Sequence, residues 1–301
     1  MTSSEPGRAW RGGSYVPADF VPEGVFAEPD GAGWLHGWRG GPAVELRTGV
    51  ILRVTAAGVV TEEWSSPGWI RAGDRRGHVG FAVWARPGPV FTLLRAASDG
   101  AWSEIGPIPA ASVTQVRAVG PDEAWMLGAK GLVVWAGGAF RSVEPPAPID
   151  VTRDRVFTVA NTLTLATHTG LHLARDGGRR WGHRAVDGHV RALAFPYCVA
   201  DRGGRLCFGK LDAAFVDWVG TVDGEGDPVA FSWAGGAMQL ALAPRDPARH
   251  PGLLLVASAP GGGFTTSLLR VPPTEGWIGL AGAGGALALA ADRRLLQSGP
   301  T

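Results

Sequence analysis

Apolar residues in this chain come in short runs, and each run stops at glycine, proline or aspartate. The stretch Thr162 to Trp181, TLTLATHTGLHLARDGGRRW, shows the pattern most clearly. Leu163 and Leu165, then Leu171 and Leu173, alternate with other residues at the period of a strand with one buried face. The spacing predicts a strand, a tight turn at Thr169-Gly170, a second strand, then a glycine-rich turn from Asp176 into a third strand at Trp181. The segment 116–143 follows the same plan, with strands expected over 116–119, 123–129, 131–136 and 139–143. Apolar runs such as GLLLVASA at 252–259 are too short and too sharply bounded for helices. The alanine-rich stretch 285–291 keeps a helical alternative. The chain reads as all-β.

Superposing these segments exposes a repeat. Val60, Trp102, Phe140, Trp181, Phe215 and Phe264 fall at the same phase, just after the turn between a third and a fourth strand. Their mean step is about 41 residues, the length of one four-stranded unit of a cyclic repeat. A sandwich or barrel needs no such period. The units run approximately over 22–66, 67–108, 112–145, 150–187, 188–221 and 226–272. The last segment, 276–301, holds three strands. Residues 8–18, with Trp10 in the aromatic slot, supply a fourth, so the ends of the chain are expected to meet. Seven units are the expectation, with six or eight as alternatives.

The turn Asp176-Gly177-Gly178-Arg179-Arg180-Trp181 resembles the Asp box, Asp-x-Gly-x-x-Trp, of sialidase-like (BNR-type) β-propellers. Ser98-Asp99-Gly100-Ala101-Trp102 is a shortened version, and the turns before Phe140 and Phe264 keep only glycine and aromatic. The resemblance implies a single β-propeller over 1–301, most simply of seven four-stranded blades, the last closed by the N-terminal strand. It gives the motif a structural role. Asp176 is expected to accept hydrogen bonds from its own turn, Gly178 to take a positive φ, and Trp181 to pack between neighbouring sheets.

Composition agrees with many short strands joined by turns. The 301 residues include 46 Gly, 23 Pro and 13 Trp, against 2 Tyr and 11 Phe. Net charge is +1, so no global field recruits nucleic acid or a membrane. The N-terminal sequence has no apolar core of signal-peptide length, and no apolar run reaches a membrane span. A cytoplasmic protein is expected. Cys198 and Cys207 fall on adjacent strands without metal-ligand spacing and read as a free, packed thiol pair.

One constellation carries candidate chemistry. The second strand of each unit enters its turn to the third strand with a basic residue: Arg39, Arg86, Lys130, His168, Arg202, Arg245 and Arg293. In a propeller these turns share one face, so the seven side chains form a basic ring around one mouth. Exposed turns favour polar residues in general, but clustered guanidiniums also focus positive potential and hold carboxylates or phosphates. Asp150, Asp187, Asp223, Glu225, Asp227 and Glu275 lie on the same face as an acidic rim. Two longer loops, 40–48 and 244–251, decorate it. On the opposite face, 73–78 reads as a charged surface turn.

The resemblance raises sialidase chemistry, which requires an arginine triad, a tyrosine nucleophile with a glutamate, and an acid aspartate. Only Tyr15 and Tyr197 are present, and no Arg-Ile-Pro motif stands near the N-terminus. His168 and His172 straddle a turn and do not define a metal site. No catalytic residues, metal ligands or cofactors are therefore assigned. The expected function is a non-enzymatic interaction or scaffold module, a subunit of a larger bacterial assembly. It would meet a protein partner on one face, through an acidic segment or a polyanion. The alternative is a sialidase-like hydrolase or lyase acting on an anionic glycan.

Overall fold

A computed structural model describes residues 10–27, 33–55, 57–76, 79–97, 100–159, 161–212 and 216–221, and further backbone strands between 226 and 298. Among the described residues, five consecutive four-stranded antiparallel sheets span 20–221. In each, the strands pair in chain order, so every connection is a hairpin. Blade I holds Phe20–Ala27, Gly33–Gly40, Arg47–Val54 and Val60–Pro67. Blade II holds Trp69–Arg76, Val79–Ala85, Phe91–Ala96 and Trp102–Pro107. Blade III holds Gln115–Gly120, Glu123–Gly128, Gly131–Ala136 and Ala139–Val143. Blade IV holds Arg155–Val159, Thr162–Thr167, Gly170–Arg175 and Arg180–Arg184. Blade V holds His189–Ala194, Tyr197–Arg202, Arg205–Leu211 and Val216–Thr221.

The backbone strands beyond residue 225 pair in the same meander, and Ala286–Ala290 is a strand, not the helix left open by its alanines. Strand Trp10–Tyr15 lies antiparallel to Arg294–Ser298, with Trp10 opposite Ser298. No helix among the described residues is long and apolar enough to cross a membrane.

The middle strands of each blade are buried on both faces, because a neighbouring blade covers each face; the outer fourth strands are mostly half-buried or exposed. The aromatic slot explains how the sheets are glued. Trp102 joins a core cluster with Trp34 and Ile51 of blade I, and Phe140 one with Phe81 and Leu93 of blade II. Trp181 packs with Trp125 and Leu127 of blade III, its ring edge-on to Trp125 at 6.3 Å. Each slot therefore fills the seam to the preceding blade. In blade V Trp218 takes this place, against Ala166 and Leu171 of blade IV. Phe215, expected in the slot there, lies outside the described residues.

The turn at 176–178 departs from expectation in one detail. Gly178 takes φ +84°, as expected. The Asp176 carboxylate, however, receives Arg180 Nε at 2.6 Å, and among the described residues no turn amide reaches it; Arg179 N donates to the Asp176 backbone oxygen instead. Asp176 itself stands at φ 51°, in the left-handed region.

The segment 73–76 also differs from the charged turn expected there. It continues the first strand of blade II, facing blade III. Asp74 is half-buried, accepts Ala118 N at 2.8 Å and lies 3.7 Å from Arg117; Arg75 stacks over Trp34 at 3.5 Å. Burial pushes the Asp74 carboxyl up, against the pull of Arg117 and of the Ala118 amide. Gly77 and His78 lie outside the described residues.

Candidate functional site

The first strands of successive blades pack against one another, and side chains from one blade bond to the next blade's backbone. Gln115 does so twice: its Nε2 donates to Asp154 O at 2.9 Å, and its Oε1 accepts Val156 N at 3.1 Å. Arg117 Nε donates to Val156 O at 2.8 Å, and Thr158 Oγ1 to Ala118 O at 3.1 Å. His189 Nε2 sits 2.6 Å from Arg153 O, and His36 Nδ1 3.4 Å from Ile70 O. Burial holds His36 down at about 4, against the raising effect of the Ile70 carbonyl. These latches fix the inner edge on which any site at the mouth would be built.

Around that edge lie the turns between second and third strands. Arg39, Arg86, Lys130, His168 and Arg202 all stand there; Arg245 and Arg293 lie outside the described residues. The five differ in what they touch. Arg39 Nη1 meets Glu62 at 2.7 Å, with Asp19 3.6 Å from its Nε. Arg86 lies 3.8 Å from Glu104 and stacks over Trp84 at 4.4 Å. Arg202 Nε donates to Asp187 Oδ2 at 3.2 Å and its guanidinium lies 4.6 Å over Trp218. The hydrogen bond and charge of Asp187 raise the proton affinity of Arg202 further. Lys130 and His168 are exposed, and Lys130 borders a cleft of about 310 Å³ with Ser112 and Ser142.

Of the acidic rim, Asp187 does neutralise a ring residue, whereas Asp150 turns inward on its own loop. It accepts Thr152 N at 3.0 Å and Thr152 Oγ1 at 2.6 Å, and these two bonds lower its pKa. Asp227 falls on strand Gly226–Ala234, and Asp223, Glu225 and Glu275 lie outside the described residues.

Sequence reasoning missed a second feature of this face. The loop 40–48 folds over a short 3-10 turn, Val44–Leu46, which leaves Leu46 66% exposed. Behind it the Arg47 guanidinium is sandwiched between Trp38 at 4.1 Å and Trp69 at 4.9 Å, and Arg71 lies 5.8 Å from the same Trp69 ring. Trp38 Nε1 donates to Glu23 at 3.2 Å. The signal was present as loop length, but pairing Trp38 with Trp69 requires the seam between blades I and II.

The histidines form a local packing cluster. His172 is buried, accepts or donates at Thr167 and Thr169 hydroxyls 3.1 and 3.0 Å away, and lies 4.8 Å from the His183 ring. Burial, then His183 and His168, lower its pKa. Among the described residues no group of three or more His, Cys, Asp or Glu is arranged to hold a metal. Tyr197 stacks on Phe208 at 5.4 Å, and Tyr15 ends strand Trp10–Tyr15. Cys198 and Cys207 are free and buried on neighbouring strands; burial pushes the Cys198 thiol up to about 12.

Solved structures decide the architecture. Virginiamycin B lyase from Staphylococcus aureus aligns with a TM-score of 0.67 at 11% identity, over 96% of this chain and 98% of its own. The propeller domain of the Trilobed protease from Pyrococcus furiosus aligns with a TM-score of 0.61 at 8% identity, over 92% of each chain. The fold is a β-propeller. A chain of a mitotic checkpoint complex aligns at 0.63 and 10% identity, over 100% of this chain and 98% of its own. At such identities the likeness extends to the fold alone. No protein-family model and no curated protein sequence matches the chain.

Proposed function

We propose that this protein is a non-enzymatic propeller module that binds an acidic partner segment on its second-to-third-turn face, within a larger assembly. The observation that carries the reading is the concentration of tryptophan-backed arginines there: Arg47 between Trp38 and Trp69, Arg86 on Trp84 and Arg202 on Trp218. Tryptophan and arginine dominate the energetics of protein interfaces, and a ring beneath a guanidinium holds it ready for a carboxylate at little entropic cost. Leu46, exposed beside this platform, adds apolar area of the kind that interfaces cover.

The hydrolase or lyase alternative is less well supported. Glycoside chemistry needs a pair of carboxylates free to act on the sugar. At this face Glu62 and Glu104 each face a ring arginine of their own blade, and Asp187, in the connection that enters blade V, faces Arg202.

The same reading takes the chain as one propeller of seven blades, built on Asp-box turns like that at Asp176, Gly178 and Trp181. The pairing of Trp10–Tyr15 with Arg294–Ser298 supports a closing blade made from both ends.

Affinity capture from the native host tests the function, with wild type beside the double variant Arg86→Glu, Arg202→Glu. A partner should be enriched on wild type, lost from the double variant, and kept by Arg95→Glu, whose side chain pairs with Asp122 at 3.0 Å away from these turns. A partner held equally by all three proteins overturns the proposal.

A further inference from the structure

The seam between blades I and II carries two arginines that stand apart from the ring. Strand Arg47–Val54 packs against strand Trp69–Arg76 across this seam. Arg47 thereby lies between two rings, 4.1 Å from the Trp38 centroid and 4.9 Å from that of Trp69. Both the cation and one of its rings are held in place. Trp38 Nε1 donates to Glu23 at 3.2 Å, and Arg47 Nη2 to Pro42 O at 2.6 Å. The strand pairing of blade II skips Arg71, a bulge of the kind that re-aims a side chain. Arg71 is exposed, and its guanidinium lies 5.8 Å from the same Trp69 ring.

The carboxylates of this corner are committed elsewhere. Asp19 and Glu62 face Arg39, Glu104 faces Arg86, and Glu23 accepts Trp38 Nε1. Glu45 is exposed on the Val44–Leu46 turn. Among the described residues no carboxylate forms an ion pair with Arg47 or Arg71. Two donors of the clamp, Arg47 Nε and Trp69 Nε1, are enclosed and meet no acceptor among the described residues. A cation fixed between two rings is the preorganised half of a charge-assisted contact. Apolar area lies on the same face. Leu46 is 66% exposed in the 40–48 loop, and Val90 is 41% exposed in the corresponding turn of blade II.

We infer, resting on the reading of this face as a partner-binding one, that the seam of blades I and II docks an acidic peptide segment whose carboxylate stands beside large apolar side chains. The carboxylate meets Arg47 and Arg71 at the Trp69 ring they share, through the forked geometry that guanidinium offers. Its apolar neighbours cover Leu46 and Val90, which water otherwise surrounds. The partner chemistry follows from both halves together. A purely acidic polymer would leave Leu46 and Val90 bare, and a purely apolar segment would desolvate Arg47 without pairing it.

Selection of a phage-displayed library of random peptides against the whole chain tests the surface. Enriched peptides should combine Asp or Glu with Leu, Phe or Trp, and synthetic copies should bind wild type saturably in fluorescence polarisation. Arg47→Gln and Arg71→Gln should each weaken them by about tenfold or more, as the loss of a charge-assisted bond implies. Leu46→Asp, at an exposed position, should weaken them by repulsion while both guanidiniums remain. Arg95→Gln should leave affinity unchanged, and thermal melting of every variant confirms the fold. No enrichment, enriched peptides without acidic residues, or equal affinity in folded Arg47→Gln or Arg71→Gln overturns the inference. Its failure is separable from that of the module reading. A host partner lost from Arg86→Glu, Arg202→Glu but kept by Arg47→Gln leaves the module standing and removes this surface.

Discussion

Gly178 shows how tightly one residue can be specified. Its φ of +84° is a region that side chains disfavour, and a Cβ there would stand 2.6 Å from Trp125 Cη2 and 2.7 Å from Val143 Cγ1. Gly178→Ala therefore combines backbone strain with overpacking against blade III, and should cost about 2–4 kcal/mol in urea unfolding. Trp181→Ala leaves a void in the same seam and should cost about 3 kcal/mol. Partner capture by the folded fraction of either variant should match wild type; loss of capture without loss of stability would make the motif functional. Both roles were legible because the motif is local: glycine and tryptophan stand three residues apart. Asp74 was not, because its partner Ala118 lies 44 residues away, and charge in a short segment reads as surface.

His36 gives the same scale a pH dependence. Its folded value is about 4 against an ordinary 6.5. The buried ring stays neutral while the unfolded chain takes up a proton, so its contribution is intact above pH 6.5. It is lost progressively as pH falls from 6.5 to about 4, and it amounts to about 3 kcal/mol across that window. His36→Gln should be less stable at pH 7, yet its stability should change less between pH 6.5 and 4.5. Equal slopes for wild type and variant would show that His36 is not the titrating group.

At the scale of elements, the strands were legible because glycine, proline and aspartate punctuate them, and their order because hairpins leave little choice. What joins one blade to the next was partly legible. The aromatic slot showed in the period of about 41 residues, since apolar filler recurs once per seam. The polar latches did not show, because a glutamine or arginine in a strand looks like any solvated residue until its neighbour's backbone is placed. Gln115 is the sharpest case. Gln115→Ala removes both bonds to blade IV and leaves Asp154 O and Val156 N short of a partner, at about 2 kcal/mol. Gln115→Glu should not rescue the loss, because a carboxylate accepts from Val156 N but faces the Asp154 carbonyl with a second acceptor. Full recovery by glutamate would mean the bond to Asp154 O contributes nothing. The candidate ring is the converse: its turn positions were legible from a repeated basic residue, but the carboxylate each arginine meets was hidden by the same need for neighbours.

For the whole molecule the remaining question is how the circle closes. An open ring would leave two apolar sheet faces and unpaired strand edges in water, a liability that folded proteins cover or blunt. Here strand Trp10–Tyr15 supplies pairing for Arg294–Ser298 along its length, interrupted once near Gly12. First strand Phe20–Ala27 also packs against Trp277–Ala281, so the two ends of the chain meet at one seam. If this seam closes the propeller, removing residues 1–18 deletes a whole edge strand and exposes the strand it covered. The truncated protein should melt at a markedly lower temperature or aggregate, and a synthetic peptide of residues 8–18 should restore part of the loss by adding back the strand. The Gly13→Pro variant, placed at the residue the pairing skips, should be milder than Arg11→Pro, where the ladder is regular. A truncated protein that is monomeric and melts like the full chain would show that closure does not depend on the N-terminal strand.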